Sequence, residues 1–248
     1  MEQTEKKRDV LLPASILIAA LLVSVSLVYN AGKKVDPAAA ENPTGGTNEP
    51  TGITPSPVNM KPVSADDHIF GDPNAPVKIV EYSDLECPFC KRFHYTLQQA
   101  VSAYNGKVAW VYRHSPIDQL HPKARKEAEA TECAAEQGGN EAFWKYMDRM
   151  MELTPSNNGL DPALLPKIAT DIGLDATKLS ACLTAGTYAA KVEAQRVDAE
   201  AAGGGGTPYS IVLNESTKKS FVIPGAYPFT SNTQGEPTVK AVLDAALE

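Results

Sequence analysis

The sequence is poor in cysteine, histidine and surplus positive charge, and each shortage removes a class of function. Only four cysteines occur in 248 residues, too few for a disulfide-dense miniprotein. Cys87 and Cys90 are separated by two residues, while Cys133 and Cys182 stand alone, so the second close pair that a zinc ribbon needs is missing. The four histidines, His68, His94, His114 and His121, show no metal-ligand spacing, and no metal is expected. Lysine and arginine number 23 against 30 aspartate and glutamate, a net charge of -7. A basic footprint for a phosphate backbone is therefore absent, and nucleic acid is not an expected partner. Internal repeats are lacking too, and long apolar runs are confined to one place.

That place is the beginning of the chain. Val10 to Tyr29 is twenty residues without a charge, which as a helix matches the hydrocarbon core of a bilayer. Residues 10–30 are therefore expected to form a single-pass transmembrane anchor. Lys6, Lys7 and Arg8 precede it and Lys33 and Lys34 follow, a balance that slightly favours a cytoplasmic tail at residues 1–9. Cleavage near Ala31, as in a signal peptide, is the alternative reading. Residues 32–66 hold six prolines and four glycines and almost no large apolar side chain. Such a composition does not offset the entropy of ordering the backbone, so 31–66 is expected to be a disordered tether. One folded domain is expected over 67–248.

The domain opens with a β-branched run, Val77 to Tyr82, then the turn Ser83-Asp84-Leu85-Glu86, then Cys87-Pro88-Phe89-Cys90. Phe89, Phe93, Leu97, Ala100, Val101 and Tyr104 recur on one helical face, and Asn105-Gly106 ends the pattern. The cysteines thus open a helix, with Pro88 in the first turn where its missing N–H costs nothing. Unpaired N–H groups and the helix dipole there favour a thiolate on Cys87, the attacking and leaving sulfur, and Cys90 is placed to resolve a mixed disulfide. Lys91 and Arg92 are expected to help the thiolate; Asp84 and Glu86 are expected to oppose it. A strand before the pair and no partner pair for a metal favour dithiol chemistry over half of a metal site.

Residues 81–94 (EYSDLECPFCKRFH), 112–116 (YRHSP) and 206–211 (GTPYSI) together resemble the DsbA-like thiol-disulfide oxidoreductases of the thioredoxin superfamily, over roughly residues 66–248. The resemblance implies an α/β thioredoxin fold with an inserted all-helical domain, here at about 117–203. It implies a cis peptide at Thr207-Pro208, packed against the cysteines and binding substrate. It also implies that Glu81, six positions before Cys87, is a buried acid able to exchange a proton with Cys90; the other reading of Glu81 is a surface charge on an edge strand. The dithiol needs no cofactor. Expected partners are reduced exported proteins and a quinone-linked membrane oxidase of the DsbB or vitamin K epoxide reductase type. The catalytic domain is expected on the extracytoplasmic side of the cell membrane.

Nearly all of the stretch between the strands at 107–112 and 209–213 reads as helix. An alanine-rich helix runs from Pro122 to Gln137, and the next carries Phe143, Trp144, Met147, Met150 and Met151. A third carries Leu164, Leu165, Ile168 and Ile172, and shorter ones span Leu179 to Leu183 and Tyr188 to Ala202. Cys133 and Cys182, on two of these helices, are expected to pair in an oxidising compartment, two free thiols being the alternative. His94 is expected to be solvated or to cap its helix, and the other histidines to be structural. Rival functions are a disulfide reductase or isomerase, which Thr before the proline keeps open, and a redox-inert client-binding module. Metal delivery lacks the additional ligands that a tight site needs.

Overall fold

A computed structural model of the chain describes residues 53–248. The expected anchor at 10–30 and most of the expected tether lie outside the described residues. Among the described residues no helix is long and apolar enough to cross a membrane.

Five strands form one mixed sheet: β1 (His68–Phe70), β2 (Val77–Ser83), β3 (Val108–His114), β4 (Tyr209–Asn214) and β5 (Ser220–Ile223), in the order β1-β3-β2-β4-β5. β2 and β3 run parallel, and the other neighbours are antiparallel. Every residue of β2 and β3 is buried, as their run of Val, Ile, Trp and Tyr requires of strands covered on both faces. One face presents Val77, Ile79, Trp110, Val212 and Ile223 to helix α1 (Pro88–Ala103) and the final helix, α6 (Val239–Leu247). The other presents Val80, Tyr82, Val111 and Ile211 to Ala199 and Ala202, at the end of helix α5 (Ala189–Ala201).

Four helices connect β3 to β4. The first, α2 (Ala124–Leu153), runs through both segments expected to be separate helices and bends at Gly138 and Gly139, whose φ/ψ of -145/18 and 65/-154 are not helical. A side chain at Gly138 would meet the Ala142 Cβ at 2.7 Å, and Gly139 occupies the left-handed region that glycine tolerates. Phe143, Met147, Met150 and Met151 are buried core. Helices α3 (Leu164–Asp171) and α4 (Ala176–Ala185) pack on α2 and on each other. Helix α5, expected inside the insertion, packs against β2 and β3 as well as on α2.

Residues 53–66, expected to belong to the disordered tether, lie against the domain. Ser56 donates its N–H to the Ser220 carbonyl at 2.8 Å and accepts the Ser220 hydroxyl at 2.6 Å, while Val58, Met60 and Val63 cover apolar residues of the sheet. The Arg113 guanidinium donates to the carbonyls of Lys61 and Pro62 and to the carboxylates of Asp67 and Asp198, which themselves receive the Ser64 and Lys61 N–H groups. A few apolar residues and one buried ion cluster order a segment whose composition reads as linker.

Cys133 on α2 and Cys182 on α4 form a disulfide with Cα atoms 5.9 Å apart. It closes a loop of 49 residues. Replacing both cysteines by alanine is expected to lower unfolding free energy by about 4 kcal/mol in the chain-entropy account, read by denaturant titration. The exchange activity of Cys87 and Cys90 in the folded variant should be retained.

Candidate active site

The carboxyl ends of the parallel strands β2 and β3 lead into the two loops that hold the cysteine pair. Asp84 to Glu86 turn the chain, the Cys87 N–H donating to the Asp84 carbonyl at 3.2 Å. Cys87 is the N-cap of α1, with extended φ/ψ of -77/122, and Pro88 follows in the first turn. Both cysteines are free thiols and both are buried, Cys87 at 5% exposure and Cys90 at 0%. The Cys87 Sγ lies 3.5 Å from the carbonyl oxygen of Thr207, and the Thr207-Pro208 peptide is cis. The glycine run before it allows this approach. Gly203 has a φ of 94°, and a side chain on Gly204 would crowd the Ala199 carbonyl and the Tyr209 ring.

The two sulfurs are displaced in opposite directions. The neighbouring Cys90 thiol, then the N–H groups of Cys90 and Phe89 and the Thr207 side chain, bring Cys87 down to about 6 against the opposing effect of burial. Burial pushes Cys90 far above the ordinary thiol range, and the neighbouring Cys87 and the charge of Glu81 push the same way. The expected help from Lys91 and Arg92 is not what stabilises the anion. Lys91 is drawn to the Thr154 carbonyl at 2.6 Å, and the Arg92 guanidinium sits 5.3 Å from the centre of the Phe89 ring.

Asp84 and Glu86, expected to oppose the thiolate, brace the surrounding loops. Asp84 accepts the N–H groups of Glu86 and Ile117, each at 2.8 Å, and lies 3.0 Å from His121 Nδ1. Glu86 accepts the N–H groups of Gly159 and Leu160. Beside it Glu127 is pushed up to about 9, first by burial and then by the adjoining Glu86 carboxylate. Phe89 and Leu120 remain largely exposed, so the motif keeps an apolar contact surface. Among the described residues no three His, Cys, Asp or Glu side chains are grouped to hold a metal ion.

Glu81 sits in the centre of the sheet at 1% exposure, which excludes the surface-charge reading. Its register partners are Tyr112 on β3 and Ser210 on β4. Neither carboxylate oxygen makes a hydrogen bond of normal geometry. Burial pushes the carboxyl up to about 8; the Ser83 and Trp110 side chains pull it down, and the Cys87 charge pushes it further up. Glu81 and Cys90 are thus two neighbouring groups that both favour the protonated form. Ser83, Tyr112 and Ser210 complete this polar end of an otherwise apolar face. The alternation within β2 hints at Ser83, but the cross-strand register that brings Tyr112 and Ser210 beside Glu81 has no local signal. His94, expected to be solvated or to cap its helix, is buried, 2.8 Å from Asp148 and edge-on to Trp110.

Residues 64–220 match the family model described as thioredoxin. Among solved structures, DsbA2 of Pseudomonas aeruginosa superposes with a TM-score of 0.61 at 29% identity, covering 75% of this chain and 95% of that one. A thioredoxin-like oxidoreductase from Silicibacter pomeroyi gives 0.58 at 27% identity, over 74% and 94% of the two chains. BdbD from Bacillus subtilis gives 0.60 at 20% identity, over 77% and 96%, a likeness of fold alone. A curated relative, the Na(+)/H(+) antiporter NhaA 3 of Salinispora tropica, is 35% identical over 187 residues, 74% of this chain and 27% of the relative. NhaA 1 of Mycobacterium sp. (strain KMS) is 36% identical over 128 residues, 51% of this chain and 19% of the relative. The chain therefore spans about a quarter or less of the length of these relatives.

The site's titration is directly measurable. Iodoacetamide alkylation of the reduced protein should rise with pH about a midpoint near 6, with Cys87 modified and Cys90 spared. Glu81 keeps its proton in the folded state up to about 8, whereas the unfolded chain releases it near 4.5, so stability falls as pH rises between those values. Glu81→Gln should therefore stabilise the protein at pH 8 by an amount on the order of 4 kcal/mol. Its effect should vanish at pH 4, as read by denaturant titration at the two pH values.

Proposed function

The chain belongs to the thioredoxin family, and on that premise we propose that it is a membrane-tethered protein thiol-disulfide oxidoreductase that forms disulfide bonds in exported proteins. The observation that carries the proposal is the opposite displacement of two adjoining thiols, Cys87 toward the anion and Cys90 toward the protonated form. A thiolate on Cys87 stabilises the dithiol relative to the disulfide, and a couple whose reduced form is stabilised oxidises others. Two solved neighbours above 25% identity are named as DsbA2 and as a thioredoxin-like oxidoreductase, and both are covered almost end to end.

In the proposed cycle a substrate thiolate attacks the Cys87 Sγ of the Cys87–Cys90 disulfide, and the Cys90 sulfur leaves with the bonding pair and takes a proton from Glu81. A second substrate thiolate then attacks its own sulfur in the mixed disulfide. The substrate departs oxidised and Cys87 leaves as the thiolate. Thr207 and Pro208 lie where an incoming extended chain would align beside Cys87. Return to the disulfide requires an electron acceptor, for which a quinone-linked membrane oxidase of the DsbB or vitamin K epoxide reductase type is the proposed partner. The apolar run at 10–30 is the proposed anchor, with the domain on the extracytoplasmic side.

A thiolate pKa of about 6 lies between the values near 7 of thioredoxin and near 3.5 of the strongest oxidants. The reduction potential is therefore expected between roughly -270 and -120 mV, which keeps a reductase or isomerase as the second reading. Titration of the Cys87/Cys90 couple against glutathione measures it, and a value at the thioredoxin end would favour the second reading. Reoxidation of a reduced, unfolded substrate protein should be abolished by Cys87→Ser. Cys90→Ala, which has no internal disulfide to offer, should lose it too, and when given glutathione disulfide should retain glutathione on Cys87 as a mixed disulfide, glutathione thiolate being the leaving group. If Cys87→Ser retained the activity, the cysteine pair would not be the catalyst and a client-binding module would be the better account.

A further inference from the structure

We propose that the cavity beside the glycine run at 204–206 is a selectivity subsite for substrate proteins, which takes a lysine or arginine side chain flanking the substrate cysteine and pairs it with Glu200. The inference rests on the exchange chemistry proposed for Cys87 and Cys90, and adds which substrates that exchange favours.

The cavity measures about 530 Å³ and is lined by two segments tied to the motif. One is the loop after β3, Ser115 to Gln119. There Ser115 donates its N–H to the Ser83 carbonyl at 2.7 Å, and Ile117 donates its own to the Asp84 carboxylate at 2.8 Å. The other is Gly204 to Gly206, which leads directly into Thr207, whose carbonyl oxygen lies 3.5 Å from the Cys87 Sγ. A chain held at Cys87 therefore has this cavity within a few residues of its own cysteine.

Gly205 and Gly206 are exposed, and a side chain on either would meet nothing within 4 Å. Neither has a positive φ. Crowding and backbone conformation thus do not require glycine at these two positions, although glycine loses more conformational freedom on folding than any other residue. What they provide is a bare stretch of wall that another backbone can approach closely.

Five charged side chains line the cavity in alternating order, Asp118, Arg125, Glu193, Arg196 and Glu200. The last three share one face of α5. Each nitrogen of the two guanidiniums already faces an acid: Arg125 donates to both oxygens of Asp118 and to Glu193, and Arg196 to both oxygens of Glu193 and to Glu200. An incoming carboxylate would have to share these donors. The row ends on carboxylates instead. Glu200 accepts from Arg196 through one oxygen only, and its side chain is 63% exposed. It stands in the last turn of α5, where the helix dipole is negative and an ammonium or guanidinium is favoured. Bracing α5 against α2 accounts for Glu193 and its two arginines, but not for the open Glu200 oxygen or the bare glycines.

The test measures the second-order rate constant for oxidation of two-cysteine peptides by the oxidised full-length chain. The peptide dithiol becomes a disulfide as the Cys87–Cys90 disulfide becomes the dithiol. The peptides differ only in carrying lysine, glutamine or glutamate at each position near a cysteine, and each rate is divided by that of the same peptide with neutral 2-hydroxyethyl disulfide, which cancels the effect of the charge on the peptide's own thiols. At low ionic strength lysine is expected to exceed glutamine by roughly threefold at one or two positions, the scale of an exposed ion pair, and about 0.5 M NaCl should remove the difference. Glu200→Gln should bring the ratio to one or below, since it also frees an Arg196 nitrogen, and Glu200→Lys should turn the preference toward glutamate. Taking the ratio within each variant cancels any change in the dithiol itself. Glu141→Gln, which removes the same charge from an exposed carboxylate outside the cavity, should keep the wild-type ratio. A ratio near one at every position, a ratio unchanged by Glu200→Gln, or an equal fall in Glu141→Gln would overturn the subsite and leave the oxidoreductase reading standing. Failure of the wild type to oxidise any of the peptides would overturn that reading and the subsite with it.

Discussion

The burial of one motif thiol directly behind the other is the constraint on which the rest depends. Cys87 is drawn toward the anion chiefly by the neighbouring Cys90 thiol, one turn deeper, and burial pushes Cys90 toward the protonated form. Exposing Cys90 would remove both effects together. The packing of α1 on β2 and β3, through Phe93, Leu97 and Ala100, is therefore an electrostatic device as well as a core. The helix terminus contributes through the N–H groups of Phe89 and Cys90, while Lys91 is drawn to the Thr154 carbonyl and Arg92 lies over the Phe89 ring.

That arrangement requires a particular sheet. β2 lies at its centre, so a residue on β2 is shielded by a strand on each side and a helix above. The lower half of this face is Val77, Ile79, Val108 and Val212, as apolar as any core; its upper half changes to Glu81, Ser83, Tyr112, His114 and Ser210. The change occurs at the carboxyl ends of the parallel strands, where open α/β sheets place their chemistry. Asp84 and Glu86, the acids expected to oppose the thiolate, anchor the loops that frame the motif, and Glu127 lies beside Glu86.

Much of this was legible because the signals are local. A β-branched strand, a proline after a cysteine and an apolar stripe at helical spacing each lie within twenty residues and place the dithiol at the start of α1. What was hidden depends on partners distant in sequence. Arg113 reads as one more charge at the end of a strand, yet it gathers Asp67, Asp198 and two carbonyls and orders a proline-rich segment that composition assigns to a tether. His94 reads as a solvated helix residue until Asp148, 54 residues away, meets it. The three-residue strand β1 is too short for periodicity to reveal. The neighbours of Glu81 follow only once the register is known.

The unpaired polar atoms at the top of the sheet bear on why this face is built as it is. Both Glu81 carboxylate oxygens, the Ser83 and Ser210 hydroxyls, the Tyr112 hydroxyl and His114 Nδ1 are all buried without a partner of normal geometry. Replacing them with apolar side chains would extend the Val77 and Ile79 pattern without interruption, and at about 1–3 kcal/mol for each unsatisfied group it would stabilise the fold. A sheet shaped only for stability would not concentrate such groups within two residues of the strand end that leads to the cysteines. Their concentration there accords with the exchange chemistry proposed for the cysteine pair, in which a sulfur kept from water must still exchange protons with it.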